Sequence, residues 1–148
     1  MSTHIATIEW SRETSDFAYE TYNREHLWRF DGGTAIDATA APQFRGREDR
    51  VDPEEALVAI ISSCHMLTFL AIASRQGHIV DHYRDEAIGT MEKNERGKLA
   101  VTRVQLRPRI VFGGEPPAAA VIEKLHRDAH EHCFIANSVR CAIEVALA

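Results

Sequence analysis

The sequence of 148 residues is 45% apolar and 26% charged, a composition typical of one soluble globular domain with a real hydrophobic core. Its formal net charge of −5 argues against general binding to nucleic acid or another polyanion, and its N-terminus lacks the basic start and long apolar run of a secretory signal. Three widely spaced cysteines do not suggest a secreted disulfide framework. We therefore expect one domain over residues 1–148 in a reducing cytoplasm, where a cysteine pair tends to be catalytic or redox-active.

The first part of the chain is predicted to form three strands. They lie at residues 3–10, 27–30 and 34–40. The first strand is rich in β-prone residues, and the second alternates apolar and polar side chains before the turn signal Asp31-Gly32-Gly33. The polar stretches 11–25 and 41–51 are predicted loops, and neither carries the mark of a domain boundary.

The longest predicted element is a helix that begins at Asp52 and ends at Gly77. Asp52 suits the N-cap, Pro53 suits the first helical position, and Glu55 lies three residues after the cap as a capping box requires. Apolar residues lie on almost every side of this helix, and a helix of that kind is buried in a core or an interface. Polar residues in its middle and charges at its ends argue against a membrane span.

The rest of the chain is predicted to form a long hairpin, a helix and a final strand. The hairpin arms are residues 80–93 and 99–112, the helix covers 118–132, and the strand covers 139–147. This order of elements indicates an α+β fold with mainly antiparallel pairing. Because so few elements are available to cover a nearly all-apolar central helix, we expect a second subunit to cover part of it.

Cys64, in the middle of the central helix, is the first candidate for chemistry. A free cysteine in such a helix is more often a small buried hydrophobic residue, and that is the structural alternative. Two features favour a chemical role: a second cysteine, Cys133, lies in a polar, histidine-rich stretch, and acidic residues precede Cys64 in a fixed pattern. Cys141, on the apolar face of the last predicted strand, is assigned to the core.

These residues together resemble the OsmC/Ohr family, which comprises osmotically inducible protein C and the organic hydroperoxide resistance proteins, both thiol peroxidases. The matching residues are Asp52-Pro53-Glu54-Glu55, Cys64 ten residues after Glu54, and Cys133-Phe134-Ile135-Ala136-Asn137-Ser138 about seventy residues further on. The resemblance covers nearly the whole chain in length and element order. Two positions depart from the family pattern, since His65 replaces the usual phenylalanine and Phe134 replaces the usual proline.

The resemblance implies an OsmC-like α+β fold, in which antiparallel sheets are wrapped around a buried central helix and two chains form an intertwined homodimer. It also implies that Cys64 is the peroxidatic cysteine, that Cys133 is the resolving cysteine, and that an arginine held by Glu54 favours the thiolate. Such a cation is needed because apolar surroundings disfavour a charged sulfur, and arginine keeps its charge at every relevant pH.

The arginine that would fill this role has two candidate places in the chain. In the Ohr type it lies in the loop between the first two strands, where Arg24 fits. In the OsmC type it precedes the central helix by about ten residues, where the chain has Gln43 with Arg45 and Arg47 close by. We expect Arg24 to take the role, while the structural alternative for each arginine is a solvated surface charge.

The spacing of Glu54 and Cys64 predicts a composite site. Ten helical residues without proline or glycine separate them, which corresponds to about 15 Å along the axis, farther than an arginine side chain reaches. Glu54 and Arg24 of one chain are therefore expected to face Cys64 and Cys133 of the partner. The alternative for Glu54 is an interaction with the positive end of the helix dipole.

A rival constellation consists of His126, His130 and His132 with Cys133. His126 and His130 lie four residues apart and share a helix face, and imidazole and thiolate are zinc ligands. Histidines of this kind are more often solvated or charged at a helix C-terminus, so we expect no bound metal and no cofactor.

The function implied by the resemblance is reduction of organic hydroperoxides, with Cys64 and Cys133 forming a disulfide that an external thiol reduces. A dithiol of the lipoyl type is one candidate reductant. Apolar side chains near Cys64 favour an organic substrate over hydrogen peroxide; the candidates are Ile60, Ile61, Leu67 and Phe134. The alternative is a non-enzymatic ligand- or metal-binding homodimer of the same fold.

Overall fold

The computed structural model describes residues 1–147, which form two compact units, one from Met1 to Ala56 and the other from Leu57 onward. The helices are α1 (Pro53–Arg75) and α2 (Ala119–His132), with short 3-10 turns at Pro42–Phe44 and Ala136–Ser138. The strands are β1 (Ala6–Glu9), β2 (His26–Phe30), β3 (Ala35–Ala38), β4 (Val80–Asp85), β5 (Ile88–Lys93), β6 (Leu99–Leu106), β7 (Pro108–Phe112) and β8 (Ala142–Val145).

The first unit contains an antiparallel three-stranded sheet in the order β1-β2-β3. The three strands predicted for this part of the chain are confirmed, with ends that shift by at most three residues. Gly33 closes the turn between β2 and β3 with a φ of +90°, a conformation that glycine adopts without steric cost. An isolated parallel bridge pairs Ala38, at the end of β3, with Val51, which lies two residues before the start of α1.

The predicted start and end of α1 are confirmed by its hydrogen bonds. The Glu55 amide donates to Asp52 Oδ1 at 2.8 Å, and the Asp52 amide donates to Glu55 Oε2 at 3.2 Å, which together form the capping box. At the other end Gly77 has a φ of +82° and the His78 amide donates to the Ala73 carbonyl. The helix is continuous between these ends, so no break separates Glu54 from Cys64.

The predicted long hairpin of the second unit is confirmed, but each of its arms is interrupted once. β5 and β6 pair around the predicted turn, where Gly97 has a φ of +69°, while β4 and β7 form a separate pair in the same overall register. The interruption has a local cause, because Pro108 has no N–H for the ladder. The Arg107 amide also donates to the side chain of Asp85 on the opposite arm, at 2.6 Å to Oδ1.

The last strand, β8, is shorter than predicted and pairs parallel with β6. It ends where it does because β6 itself ends at Leu106, which lies opposite Val145. All other strand pairs within residues 1–147 are antiparallel, apart from the isolated bridge of the first unit. The predicted α+β class with mainly antiparallel pairing is therefore confirmed.

The core of the second unit lies along one face of α1. Ile61, His65, Phe69 and Ala73 are buried at intervals of four residues, which places them on one side of the helix. On the other side Ile60 and Leu67 are 49% and 60% exposed, so one chain covers only part of this apolar helix. By length and composition α1 could cross a membrane, but core helices of soluble proteins satisfy the same measure. Its covering by a second subunit stays a prediction.

The capping box gives a direct test of how α1 begins. We expect Asp52→Ala to lower the free energy of unfolding by about 1 kcal/mol, because the first-turn amide of Glu55 loses its acceptor. Asp52→Asn is the matched control, since an asparagine oxygen can accept the same hydrogen bond. Denaturant unfolding monitored by circular dichroism measures both variants. An equal loss of stability in the two would contradict a capping role for Asp52.

Candidate functional site

The fold brings two of the three cysteines together. Cys64 comes from the middle of α1 and Cys133 is the C-cap residue that follows α2, and the two side chains are close enough for Cys64 to raise the pKa of Cys133. Both thiols are free, as is Cys141. The contact joins segments about seventy residues apart in sequence, so it depends on the packing of the second unit and not on local structure. The roles of the two cysteines stay predictions.

Cys133 is the buried first residue of a turn that the neighbouring residues of its motif hold in place. The Ala136 amide donates to Cys133 Sγ at 3.4 Å, and Asn137 Nδ2 donates to the Cys133 carbonyl at 3.0 Å. Ser138 Oγ donates to the Phe134 carbonyl at 2.7 Å. Burial and the adjacent Cys64 side chain raise the pKa of Cys133 above its ordinary value, while the amides of Ala136 and Ile135 act in the opposite direction.

Cys64 is more accessible than Cys133, which is only 1% exposed. It lies on the same side of α1 as the exposed residues Ile60 and Leu67, four residues before it and three after. Phe134, next to the second cysteine, is 82% exposed. Three of the four predicted apolar wall residues are thus exposed.

Two further residues, Ile61 and Cys141, lie in or against the core of the second unit. Ile61, predicted as a wall residue, is fully buried and packs with Val104 and Leu106, so its assignment is corrected to the core. Cys141 packs against the same cluster, as predicted, although it is only half-buried. Burial raises the pKa of Cys141, which makes its thiol less reactive.

Arg24 holds its own loop together in the first unit. Its guanidinium donates to the carbonyls of Tyr19 and Tyr22 and lies over the Tyr22 ring, 3.6 Å from the centroid. The side chain is only 8% exposed, and it forms no ion pair within the part of the chain that the structure describes. Sequence reasoning placed Arg24 in a loop but gave no sign of these aromatic and carbonyl contacts.

Glu54 is not paired with any of the candidate arginines. Its Oε2 atom is buried and lacks a hydrogen-bond partner among residues 1–147. Arg47 instead binds Asp49 at 2.7 Å and approaches Glu25 at 3.8 Å, while Arg45 lies over the ring of Tyr19. Burying a carboxylate oxygen without a hydrogen-bond donor costs free energy, and residues 1–147 of the same chain do not supply a donor to Glu54 Oε2.

A buried histidine pair is the feature that sequence reasoning missed. His65 Nε2 and His126 Nδ1 are 3.0 Å apart, the two rings are nearly parallel at 3°, and the residues are 1% and 3% exposed. Burial lowers the pKa of each histidine to about 4, so both are neutral at pH 7. The available signal was the position of His65, which shares the four-residue spacing of the buried face of α1.

The rival metal constellation does not form in the described residues. His126 is directed at His65, and His132 Nδ1 lies 2.8 Å from the carbonyl of Asp128, its own helix neighbour. No group of three or more histidine, cysteine, aspartate or glutamate side chains within residues 1–147 is arranged to hold a metal ion.

Comparison with known proteins identifies the family. The model of the family described as OsmC-like protein matches residues 46–148. The chain belongs to this family. An OsmC-like protein of unknown function from Vibrio cholerae has 46% identical residues and a TM-score of 0.95, with full coverage of both chains. The resemblance found from the motif is confirmed, as is the OsmC-like fold.

Two more distant relatives cover most of the chain. The protein YmaD of Bacillus subtilis is 22% identical over 84% of this chain and 85% of its own. The organic hydroperoxide resistance protein of the same organism has a similar structure, with a TM-score of 0.72 over 99% of this OsmC-like chain and 98% of its own. Its sequence is only 18% identical, so this likeness concerns the fold.

The histidine pair predicts how stability depends on pH. The ordinary pKa of histidine, 6.5, applies to the unfolded chain, whereas both residues have a pKa of about 4 when folded. Between these values the unfolded state binds protons that the folded state does not, so stability falls as the pH falls. We expect a loss of about 2 kcal/mol for each histidine between pH 7 and pH 5.

Denaturant titrations at the two pH values measure this loss. The double variant His65→Gln/His126→Asn should show a clearly smaller pH dependence, because it lacks both titrating groups. His82→Gln, at an exposed position on β4, is the matched control and should keep the wild-type dependence. A wild-type protein equally stable at pH 5 and pH 7 would contradict the assignment of two buried neutral histidines.

Proposed function

We propose that this OsmC-like protein is a thiol peroxidase that reduces organic hydroperoxides with Cys64 as the peroxidatic and Cys133 as the resolving cysteine. The observation that supports this most directly is the contact between the two free cysteine side chains, which come from distant segments of the chain. A half-buried and a buried cysteine that lie next to each other in this way can be oxidised to a disulfide, which is what a two-cysteine cycle requires.

The cycle has three balanced steps. The Cys64 thiolate attacks the terminal peroxide oxygen, the O–O bond breaks, and the products are a sulfenic acid on Cys64 and an alkoxide that takes a proton to become an alcohol. The Cys133 thiol then attacks the Cys64 sulfur, forming the disulfide and releasing water. An external dithiol finally reduces the disulfide to two thiols and is itself oxidised to a disulfide.

The exposed side chains near the two cysteines favour an organic substrate. Ile60 and Leu67 border Cys64 on α1, and Phe134 follows Cys133, so an alkyl or aryl peroxide can bury apolar surface as it approaches the sulfur. Hydrogen peroxide has no such group and gains nothing from these residues. We expect the protein to form a homodimer, as for an OsmC/Ohr protein, and the partner would then cover part of the same face of α1. Cytoplasmic thiols would supply the reductant.

The first test is peroxide consumption by cysteine variants. We expect wild-type protein to turn over cumene hydroperoxide with a dithiol donor, and to act on it more efficiently than on hydrogen peroxide. Cys64→Ser should fall to the uncatalysed rate because the nucleophile is lost. Cys133→Ser should consume one equivalent of peroxide and then stop, since no disulfide can be formed for recycling.

Cys141→Ser is the matched control and should keep the wild-type rate, because this thiol lies against the core cluster of Ile61. Peptide mapping after one equivalent of peroxide should find an intrachain bond between Cys64 and Cys133. Multiple turnovers in Cys64→Ser would refute the peroxidase, and a bond that contains Cys141 would reverse the assignment of the resolving thiol.

We further propose that the site is shared between two chains. Glu54 and Cys64 lie on one unbroken helix, about 15 Å apart along its axis, and Glu54 has a buried oxygen that needs a donor. Arg24 forms no ion pair with residues 1–147 of its own chain, and it lies in the same unit as Glu54. In the shared site, Glu54 and Arg24 of one chain would act on Cys64 and Cys133 of the partner.

Mixing two inactive variants tests the shared site. Glu54→Ala and Cys64→Ser chains are expected to be inactive alone, and to regain activity when mixed under conditions that exchange subunits. Each mixed dimer would contain one site built entirely from wild-type residues and one with both defects, so an equal mixture should approach a quarter of wild-type activity. The control is a mixture of Glu54→Ala chains with chains that carry both Glu54→Ala and Cys64→Ser. This mixture should stay inactive, because no site in it has a wild-type Glu54. If the mixture of single variants stays inactive, Glu54 and Cys64 act within one chain.

A further inference from the structure

The hydrogen bond between His65 and His126 connects the two helices that carry the cysteines. His65 directly follows Cys64 on α1, and His126 lies on α2 seven residues before Cys133, at which that helix ends. Within residues 1–147 it is the one side-chain hydrogen bond that joins α1 to α2. The remaining contacts between the helices are apolar, chiefly those of Phe69 and Ala73 with Leu125 and Ala129.

Apolar contacts alone do not fix the register of two helices as sharply as a hydrogen bond does. Packed aliphatic side chains tolerate small shifts, whereas a buried bond between two nitrogens is lost when the atoms move apart by a few tenths of an ångström. Here the two nitrogens are 3.0 Å apart and both rings are buried. The ring of Phe69 also contacts His126, with 4.5 Å between the ring centroids.

Burying the pair also costs free energy of desolvation, which an apolar residue that only fills space would not cost. His65 Nδ1 and His126 Nε2 are buried and lack hydrogen-bond partners among the described residues. Each such atom loses its hydration on folding without full compensation. An apolar side chain at position 65 would avoid this penalty, so the benefit of the histidines has to come from the bond between them.

We propose that His65 and His126 are positioning residues for the cysteine pair: their hydrogen bond fixes the spacing of α1 and α2 and so favours the disulfide between Cys64 and Cys133. The inference rests on the proposed function only in taking these two cysteines as a reversible redox pair. Neither histidine contacts the peroxide or donates to a sulfur in this scheme.

The identity of the bonded atoms provides matched variants. His65 bonds through Nε2, the position that the side-chain amide of glutamine reaches, and His126 bonds through Nδ1, which asparagine mimics. His65→Gln and His126→Asn can therefore keep the bond, whereas His65→Asn and His126→Gln place the amide at the wrong distance. All four variants bury one amide, so they differ mainly in whether the helices stay connected.

The measurement is the equilibrium between dithiol and disulfide in dithiothreitol buffers, starting from protein oxidised with diamide so that no peroxidase activity is needed. We expect His65→Asn and His126→Gln to lower the equilibrium constant for disulfide formation by more than about twofold and at most about tenfold, because the free energy of one hydrogen bond sets the upper limit. His65→Gln and His126→Asn should stay within about twofold of wild type. Thermal unfolding of the reduced proteins serves as the stability control.

Two results would overturn the inference. One is an equal equilibrium constant in all four variants and wild type, even if the melting temperatures fall, since this would leave the pair with a structural role only. The other is an equal decrease in the matched and mismatched variants. A wild-type protein that forms the disulfide with diamide but does not reduce peroxide would refute the proposed peroxidase and leave this inference intact.

Discussion

The second unit depends on one row of buried residues along α1. Ile61, His65, Phe69 and Ala73 face inwards at every fourth position, and together they contact most elements of the unit. Ile61 packs against β6, whereas Phe69 and Ala73 pack against α2 and the pair of strands β4 and β7. Because Cys64 directly precedes one member of this row, its position is fixed by the same packing that forms the core.

That row contains one polar residue, and its partner determines how the helices meet. A phenylalanine in place of His65 would complete an apolar stripe, and burial would cost less. The protein instead keeps two neutral imidazoles in contact inside an apolar core. Such a contact restricts the relative placement of α1 and α2 more than it increases stability, which is the usual role of a buried polar bond among apolar neighbours.

Most of the fold could be predicted from the sequence because its signals are local. The capping box at Asp52 and Glu55, the glycine after α1 and the hairpin turn at Gly97 each involve residues a few positions apart. The break in the hairpin also had a local signal, Pro108, whose missing N–H ends the ladder.

The contacts of the candidate site were harder to predict because they join distant segments. The meeting of Cys64 with Cys133 followed from family resemblance and not from periodicity. The inward direction of His126 depends on the rotation of α2 against α1, which the spacing of histidines along α2 does not reveal. Likewise the sequence places Arg24 in a loop, but its contacts with the rings of Tyr19 and Tyr22 depend on how that loop folds.

The parallel pairing of β8 with β6 has a consequence for the order in which the chain folds. Their partners, such as Arg103 and Ala142, lie about forty residues apart, whereas β5 and β6 meet across a short turn. Closing the longer loop costs more conformational entropy, so we expect the hairpin to form first and β8 to dock later. Since α2 and Cys133 lie within that loop, we expect their placement against α1 to become fixed in the same late stage of folding as the docking of β8.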